Sequence, residues 1–532
     1  MTKNTEAVGV ESPKGSNKLA ILLAMAMFVL VVDTSMMNVS ISAIVNDLDT
    51  TVSSVQSAIA LEALVSAAFI LIGSKVGDLY GRKQAYVLGL LGYGIGAIAM
   101  TLAQNMTAIV IFWAIIGGLG ASLLLPAMQS LIHGNFEGAE QRKAYALVGA
   151  ATGVAAAVGP LLGGFITTFL SWRVGFLLEA VIIAVVLFNI KLVKDVPYTG
   201  PREVDPVGAL LSIIGMGGIV LSILVWQEGG QYVGLLMAVG VVAIIIFARW
   251  LLRRNKEGKP TLLDPRLFSS KYFQMGVTGQ LMQNIALGGM MIALPIYFQM
   301  VFEYSAMLTG LALAPFSLSI FIVSLLVGRR AGKRRASRII QAGFAILFAG
   351  ILLSLPFIPR ADSGLAFAIP LMIIGSGLGL LVSQLNNYTL SPISEERVSE
   401  AAGVNSAAGS FGLSFGLAFA GAIMLAALSL TFTNMAGSST VLAPDQQAQV
   451  AQALEEDAQI MSNTQLEEQL SSQPAEIQEE IIRINTEARF LALQIALLVP
   501  LIAALLGLLN SFRMVKMPDP EPANTADGML LG

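Results

Sequence analysis

The 532-residue chain is 55% hydrophobic and only 12% charged, about half the charged share of an average soluble domain. A surface that apolar needs lipid as its solvent, which excludes an ordinary soluble fold. The lack of cysteine excludes disulfides and thiolate chemistry, and the single histidine, His133, excludes a multi-histidine metal centre.

Residues 1–18 read as a polar cytoplasmic tail. Apolar stretches then recur at 19–40, 54–74, 84–103, 107–132, 144–168, 175–194, 207–227, 232–252, 273–299, 308–328, 339–358, 365–386, 403–432 and 490–512. Each is about the 20 residues that carry a helix across a bilayer. They must be helices, because hydrocarbon offers no partner to an unpaired backbone group. The alternation of a membrane β-strand is missing. The first stretch carries Asp33 and lacks a small-residue cleavage site, so it reads as a span and not as a signal peptide.

Basic residues mark the cytoplasmic side. Among the loops, only Arg173, Arg360, Arg483 and Arg489 fall in those that follow odd-numbered spans. The others cluster in the termini and even-numbered loops, as in Lys75, Arg82 and Lys83 or the run Arg329, Arg330, Lys333, Arg334, Arg335 and Arg338. Both termini are therefore expected inside, which requires an even number of spans. Fourteen meets this requirement. Polar linkers at 195–206 and 253–272 divide the spans six, two and six. The expected units are an N-terminal six-helix bundle (19–194), two inserted helices (207–252), a C-terminal six-helix bundle (273–512) and a C-terminal tail (513–532). Such repeats place a substrate site at their interface, near the midplane.

The C-terminal unit includes an unusual extracytoplasmic loop, 433–489, rich in Gln and Glu. Its apolar residues Val450, Leu454, Ile460, Met461, Ile477 and Ile481 suit short amphipathic helices. It is either a solvated acidic excursion or a helical cap over the outer mouth.

Ionisable residues inside spans are costly and point to function. Away from the span ends three occur, all acids: Asp33 in span one, Glu62 in span two and Glu179 in span six. A carboxyl group deprived of water favours its neutral form, so such a set can exchange protons or attract a cation. Gln280, Gln283 and Asn284 fall at helical spacing in span nine, where they either line a cavity or join helices. Met36, Met37, Met290 and Met291 supply soft side chains suited to an apolar, promiscuous site. Gln384, Asn386 and Asn387 read as a helix-end network, and His133 as an interface residue. The glycine stretches lie inside apolar spans, where small residues let backbones approach. No Walker A pattern is present. No catalytic triad or metal cluster emerges, so an enzyme is not expected, nor a cofactor, nor a nucleic-acid partner.

Three motifs carry a family resemblance. The loop after span two, Ser74-Lys-Val-Gly-Asp78-Leu-Tyr-Gly81-Arg82-Lys83, resembles the cytoplasmic signature loop of the major facilitator superfamily. There Asp78, Gly81, Arg82 and Lys83 match, whereas Ser74 and Leu79 depart. Gly153, Gly159, Pro160, Gly163 and Gly164 in span five resemble the antiporter motif of drug exporters, with Trp172, Arg173 and Phe176 matching the segment that follows. Asp33-Thr-Ser-Met-Met-Asn38-Val39 is similar to an element of the fourteen-span drug:proton antiporters.

The resemblance implies a major facilitator fold in the cytoplasmic membrane, acting as a monomer among lipids. It further implies proton-driven export of amphipathic cationic or neutral compounds by alternating access. Proton coupling would fall to Asp33, Glu62 and Glu179. Asp33, Met37, Asn38, Glu62, Gln280, Gln283 and Asn284 would bind substrate. Asp78, Gly81, Arg82 and Lys83 would latch the halves, and the Gly153–Gly164 motif would form a sliding seam. Ala114 stands where relatives carry an Arg linked to proton coupling, and Glu62 where they commonly have Tyr. Alternative readings are an exporter of an endogenous lipid, peptide or metabolite without proton coupling, and a non-transporting sensor or scaffold.

Overall fold

A computed structural model describes residues 17–520 except 137, 196–204, 228–229, 329–333, 394, 444–445, 449 and 451–462. In chain order its helices are α1 (Asn17–Val39), α2 (Ile41–Leu48), α3 (Val52–Tyr80), α4 (Arg82–Leu102), α5 (Met106–Ile132), α6 (Gly138–Phe169) and α7 (Trp172–Phe188). There follow α8 (Pro206–Gln227), α9 (Val233–Lys256), α10 (Lys271–Met300), α11 (Ala306–Gly328), α12 (Ala336–Ser354), α13 (Ala368–Leu390), α14 (Glu395–Gly437), α15 (Asn463–Gln469), α16 (Ala475–Ala496) and α17 (Leu498–Lys516). No strand occurs among the described residues.

Twelve of the described helices are long and apolar enough to cross a bilayer, and a bent pair within α6 makes thirteen. The remaining expected span falls on α7, which has 17 residues, the short end of the usual range. The α6 bend measures 46° between Leu147–Ala155 and Val158–Phe169. Pro160 is its cause: the ring has no N–H to donate and crowds the carbonyl four residues earlier.

The two six-helix halves meet along two seams. In one, α6 packs along α11; in the other, α3 packs along α14. The inserted pair lies outside the second seam, with α8 packed on both α3 and α14 and α9 packed on α8. Asp205 clips this pair together. Buried ahead of α8, it accepts the Gly208 N–H (2.9 Å), caps the helix and also accepts Trp250 Nε1 of α9 (3.1 Å).

The α6–α11 seam is graded from end to end. A side chain at Gly164 would strike the Ala306 carbonyl, and one at Gly310 the Pro160 carbonyl, so backbones touch there. Thr168 Oγ1 accepts the Met307 N–H at 3.0 Å at the same end. Farther along, Gly153 faces only the Phe321 ring, 2.9 Å from where its Cβ would be, and Gly149 has open space within 4 Å. On the tight face, Gln299 of α10 also ties the halves. Its Oε1 accepts Ser42 N–H (3.1 Å) and Oγ (2.5 Å), and its Nε2 donates to the Val39 carbonyl (3.0 Å).

Gln299→Ala removes these bonds, each worth about 0.5–1.5 kcal/mol net. With three bonds lost, at about 1.5 kcal/mol or more together, the ratio of open to closed forms of this face is expected to rise roughly tenfold or more. Spin-label distances across α2 and α10 check this shift.

Loop 433–489 is largely helical where it is described. The 43-residue α14 is about 65 Å long at 1.5 Å per residue, twice a bilayer core, so it runs well beyond the membrane. The last span likewise begins inside the loop, on α16, which carries Ile477 and Ile481. The short α15 docks back: Thr464 donates its N–H (2.9 Å) and hydroxyl (2.6 Å) to Glu303, and Asn463 bonds Asn485 and Thr486. Val450 packs against the core, while Leu454, Ile460 and Met461 lie outside the described residues. Arg489, counted with the loop from sequence, is buried on α16 and donates to the Met300 carbonyl (2.6 Å).

Candidate substrate and proton site

Asp33 sits two-thirds of the way along α1 and is 1% exposed. Its carboxylate accepts the Tyr93 hydroxyl of α4 and Trp113 Nε1 of α5, the latter at 2.9 and 3.1 Å to its two oxygens. Both donors are neutral. Trp113 reaches inward from Ile109–Gly117, which winds as a π-helix, a local widening often found at functional sites. Trp113 is braced edge-on by Phe176 of α7, with ring centroids 6.4 Å apart.

Glu62 (9% exposed) and Glu179 (3%) lie on α3 and α7. Each is within electrostatic reach of Asp33, and all three carboxyl groups are within reach of Tyr93. All three intramembrane acids of the first six spans are thus buried in this half, where Tyr93 bonds Asp33. Neither Glu179 oxygen has a hydrogen-bond partner. Ala114, where the resemblance places an Arg, is fully buried beside Trp113. No ion pair to Asp33, Glu62 or Glu179 occurs among the described residues. Unpaired carboxylates in an apolar interior are costly, so the cluster calls for protons or a cationic ligand.

Close packing holds this cluster against the seam. Gly159 and Gly163 of α6 leave room for Ser35 and Met36 of α1, and Gly175 of α7 abuts the Met36 thioether. Met37 is fully buried, and Asn38 donates to the Thr34 carbonyl (2.7 Å) while its Oδ1 lacks a partner. The polar residues of span nine are placed elsewhere. Gln280 and Asn284 of α10 turn toward Gly409 of α14, and Gln283 is buried with its Oε1 unpartnered. None of the three bonds to the acids. Asn386 of the helix-end group accepts from Asn405 (2.7 Å).

In the signature loop, Gly81 has φ +108°, a conformation only glycine takes readily, and it joins α3 to α4. The Lys83 N–H donates to Asp195 Oδ1 (3.0 Å), so this turn is capped by an acid from the end of its own half. The side chains of Asp78 and His133 lie outside the described residues.

Tyr93 and Trp113 were not singled out from the sequence. The available signal was their type: each carries one polar handle, which needs a partner when buried in an apolar span. Trp113→Phe keeps an aromatic side chain, though a smaller one, and removes the N–H shared by the two Asp33 oxygens. Transport is expected to fall roughly 5- to 30-fold, the equivalent of about 1–2 kcal/mol, with an unchanged yield of monodisperse protein. Full activity would show that Tyr93 alone positions Asp33.

Two helical halves meeting at glycine seams, with acids buried beside one seam, define a polytopic membrane transporter. The family model described as Major Facilitator Superfamily matches residues 23–417, and the chain belongs to that superfamily. It is 28% identical over 417 residues to the multidrug resistance protein Stp of Mycobacterium tuberculosis, covering 77% of this chain and 76% of that one. It is also 28% identical over 408 residues to the multidrug export protein EmrB of Escherichia coli (74% and 78% covered). With the puromycin resistance protein pur8 of Streptomyces alboniger it is 29% identical over 404 residues (73% and 78%). Among solved structures, an inward-facing, unoccupied bacterial homolog of the lysosomal transporter Spinster matches 96% of this chain and all of its own, with a TM-score of 0.61 at 12% identity. That likeness speaks to the fold alone.

Proposed function

We propose that this transporter exports amphipathic cationic or neutral compounds across the cytoplasmic membrane in exchange for protons. The observation that carries the proposal is the burial of Asp33, Glu62 and Glu179 in one half with no ion pair among the described residues, Asp33 being held by two neutral donors. Protons and a cationic or hydrogen-bonding substrate compete for the same carboxyl groups, so loading one releases the other. The multidrug and puromycin resistance relatives support a drug-like substrate. The working units are the two bundles, 19–194 and 273–512, rocking as a monomer around the inserted pair 207–252.

With both termini placed in the cytoplasm by the distribution of basic residues, the tight end of the α6–α11 seam faces outward and the open end inward. This form is ready to load from the cytoplasm. Outward opening requires Gly164 and Gly310 to part from Ala306 and Pro160, and Gln299 to release Ser42. The α15–α16 cap stands over the outer face of the second half, where Glu303 holds it to the end of α10. Asp78, Gly81, Arg82 and Lys83 would secure the inner face in the opposite state.

Protein reconstituted with a pH-sensitive dye inside the vesicles tests the exchange. Adding an amphipathic cation such as ethidium is expected to evoke proton movement opposite to that of the cation. Cation flux without proton movement would favour uncoupled export.

A further inference from the structure

A second, chemically different site lies at the other half's cytoplasmic end. A cleft of about 890 Å³ opens among α11, α12 and α13. Leu326 of α11, Ile339 of α12 and Leu380 of α13 are among its apolar lining residues, and Arg334, Arg335 and Arg338 are its charged ones. No acid lines it. Its volume is of the order of a small-molecule pocket, yet its composition is divided: guanidinium groups and hydrocarbon, with little neutral polar surface.

The three arginines are not equivalent. Arg335 is engaged by the chain itself. Its guanidinium pairs with Asp519 (3.4 Å) and donates to the carbonyls of Val515 and Met517. Asp519 also caps α12 through the Ala336 N–H and the Ser337 hydroxyl. Arg335 is thus a strut that fixes the start of α12. Arg334 and Arg338 are exposed, and no ion pair to either occurs among the described residues. Arg334 precedes α12 and Arg338 lies in its first turn, and both line the cleft.

We propose that this cleft binds an anionic phospholipid, with the headgroup phosphate held by Arg334 and Arg338 and acyl chain laid along Leu326, Ile339 and Leu380. Planar guanidinium groups match phosphate oxygens in pairs, and basic pockets between helices at the cytoplasmic side suit acidic headgroups. A soluble anion would use the arginines but leave the hydrocarbon lining wet. A zwitterionic lipid would bring its own cation toward two guanidinium groups. The combination therefore selects a lipid with net negative charge. Bound there, it would bridge α11, which carries one face of the moving seam, to α12 and α13.

The test is native mass spectrometry of delipidated full-length protein offered phosphatidylglycerol or phosphatidylcholine with identical chains. Wild type is expected to retain phosphatidylglycerol selectively. Arg334→Gln combined with Arg338→Gln is expected to lower that occupancy about tenfold or more, at roughly 1 kcal/mol per lost charge. The control Arg266→Gln, at an exposed basic residue away from the cleft, is expected to change nothing. Leu380→Trp, which fills the apolar lining and keeps the arginines, is expected to reduce lipid binding too, and decides the matter should the double variant not fold. Undiminished phosphatidylglycerol in a folded variant overturns the proposal, as does equal retention of phosphatidylcholine. Equal thermal stabilisation by glycerol 3-phosphate or inorganic phosphate also overturns it, by showing a soluble-anion site.

Discussion

Asp33→Asn is expected to abolish uphill transport while leaving the protein folded. Asn keeps the size of the side chain and still accepts the Tyr93 hydroxyl and the Trp113 N–H through its carbonyl oxygen, so the packing of α1, α4 and α5 is preserved. It cannot take up or release a proton. A pH difference of two units supplies about 2.7 kcal/mol per proton. For one-for-one exchange against a neutral compound, that sustains a concentration ratio of roughly 100. Vesicles bearing wild type are expected to approach such a ratio; those bearing Asp33→Asn are expected to settle near unity, because the gradient no longer does work on the substrate. Downhill rate does not distinguish lost coupling from a lost pathway; the accumulation ratio does.

The second large effect is expected at the seam. Gly310 lies so close to the Pro160 carbonyl that any side chain collides with backbone, which cannot rotate away. Gly310→Leu therefore penalises only the form in which α6 and α11 touch at Gly164 and Gly310. Overpacking of this kind costs about 1–3 kcal/mol, which shifts the balance toward the outward-open form roughly 5- to 150-fold. Transport is expected to collapse because the cycle stalls on one side. The chain has no cysteine, so a single Thr309→Cys, at a position beside Gly310 that is fully buried in this form, reports the change without background. Its labelling by a membrane-impermeant thiol reagent is expected to quicken in the Gly310→Leu variant. Unchanged labelling with normal transport would mean that the seam does not separate at Gly310.

The membrane-spanning elements and the three acids were legible in the sequence because both signals are local. A span is written in about twenty consecutive residues, and Asp33, Glu62 and Glu179 are conspicuous for lying within spans. Pro160 likewise announced the bend in α6, since its effect falls on its own helix. What joins the acids was not legible. Tyr93 and Trp113 meet Asp33 across sequence separations of 60 and 80 residues, and which face of α4 or α5 turns inward depends on tertiary packing and, for Trp113, on a π-helical turn. Gln299 presented the same difficulty: nothing in its local sequence at the end of α10 marks a bond to Ser42 in the other half. The Gln280, Gln283 and Asn284 group shows the reverse case. Helical spacing placed them on one helix, but the structure turns two of them toward α14 and joins none to the acids. The outer loop is entered and left on long helices, α14 and α16, and the apolar residues Ile477 and Ile481 that suggested a short helix in the sequence lie on α16.

The account rests on competition between protons and substrate for the carboxyl cluster. The most direct measurement is proton release from purified protein in weakly buffered detergent solution when a transported cation is added. Wild type is expected to release protons in proportion to the substrate bound, and Asp33→Asn to bind with a smaller release or none. Saturable binding by wild type with no proton released at any pH between 6 and 8 would contradict it.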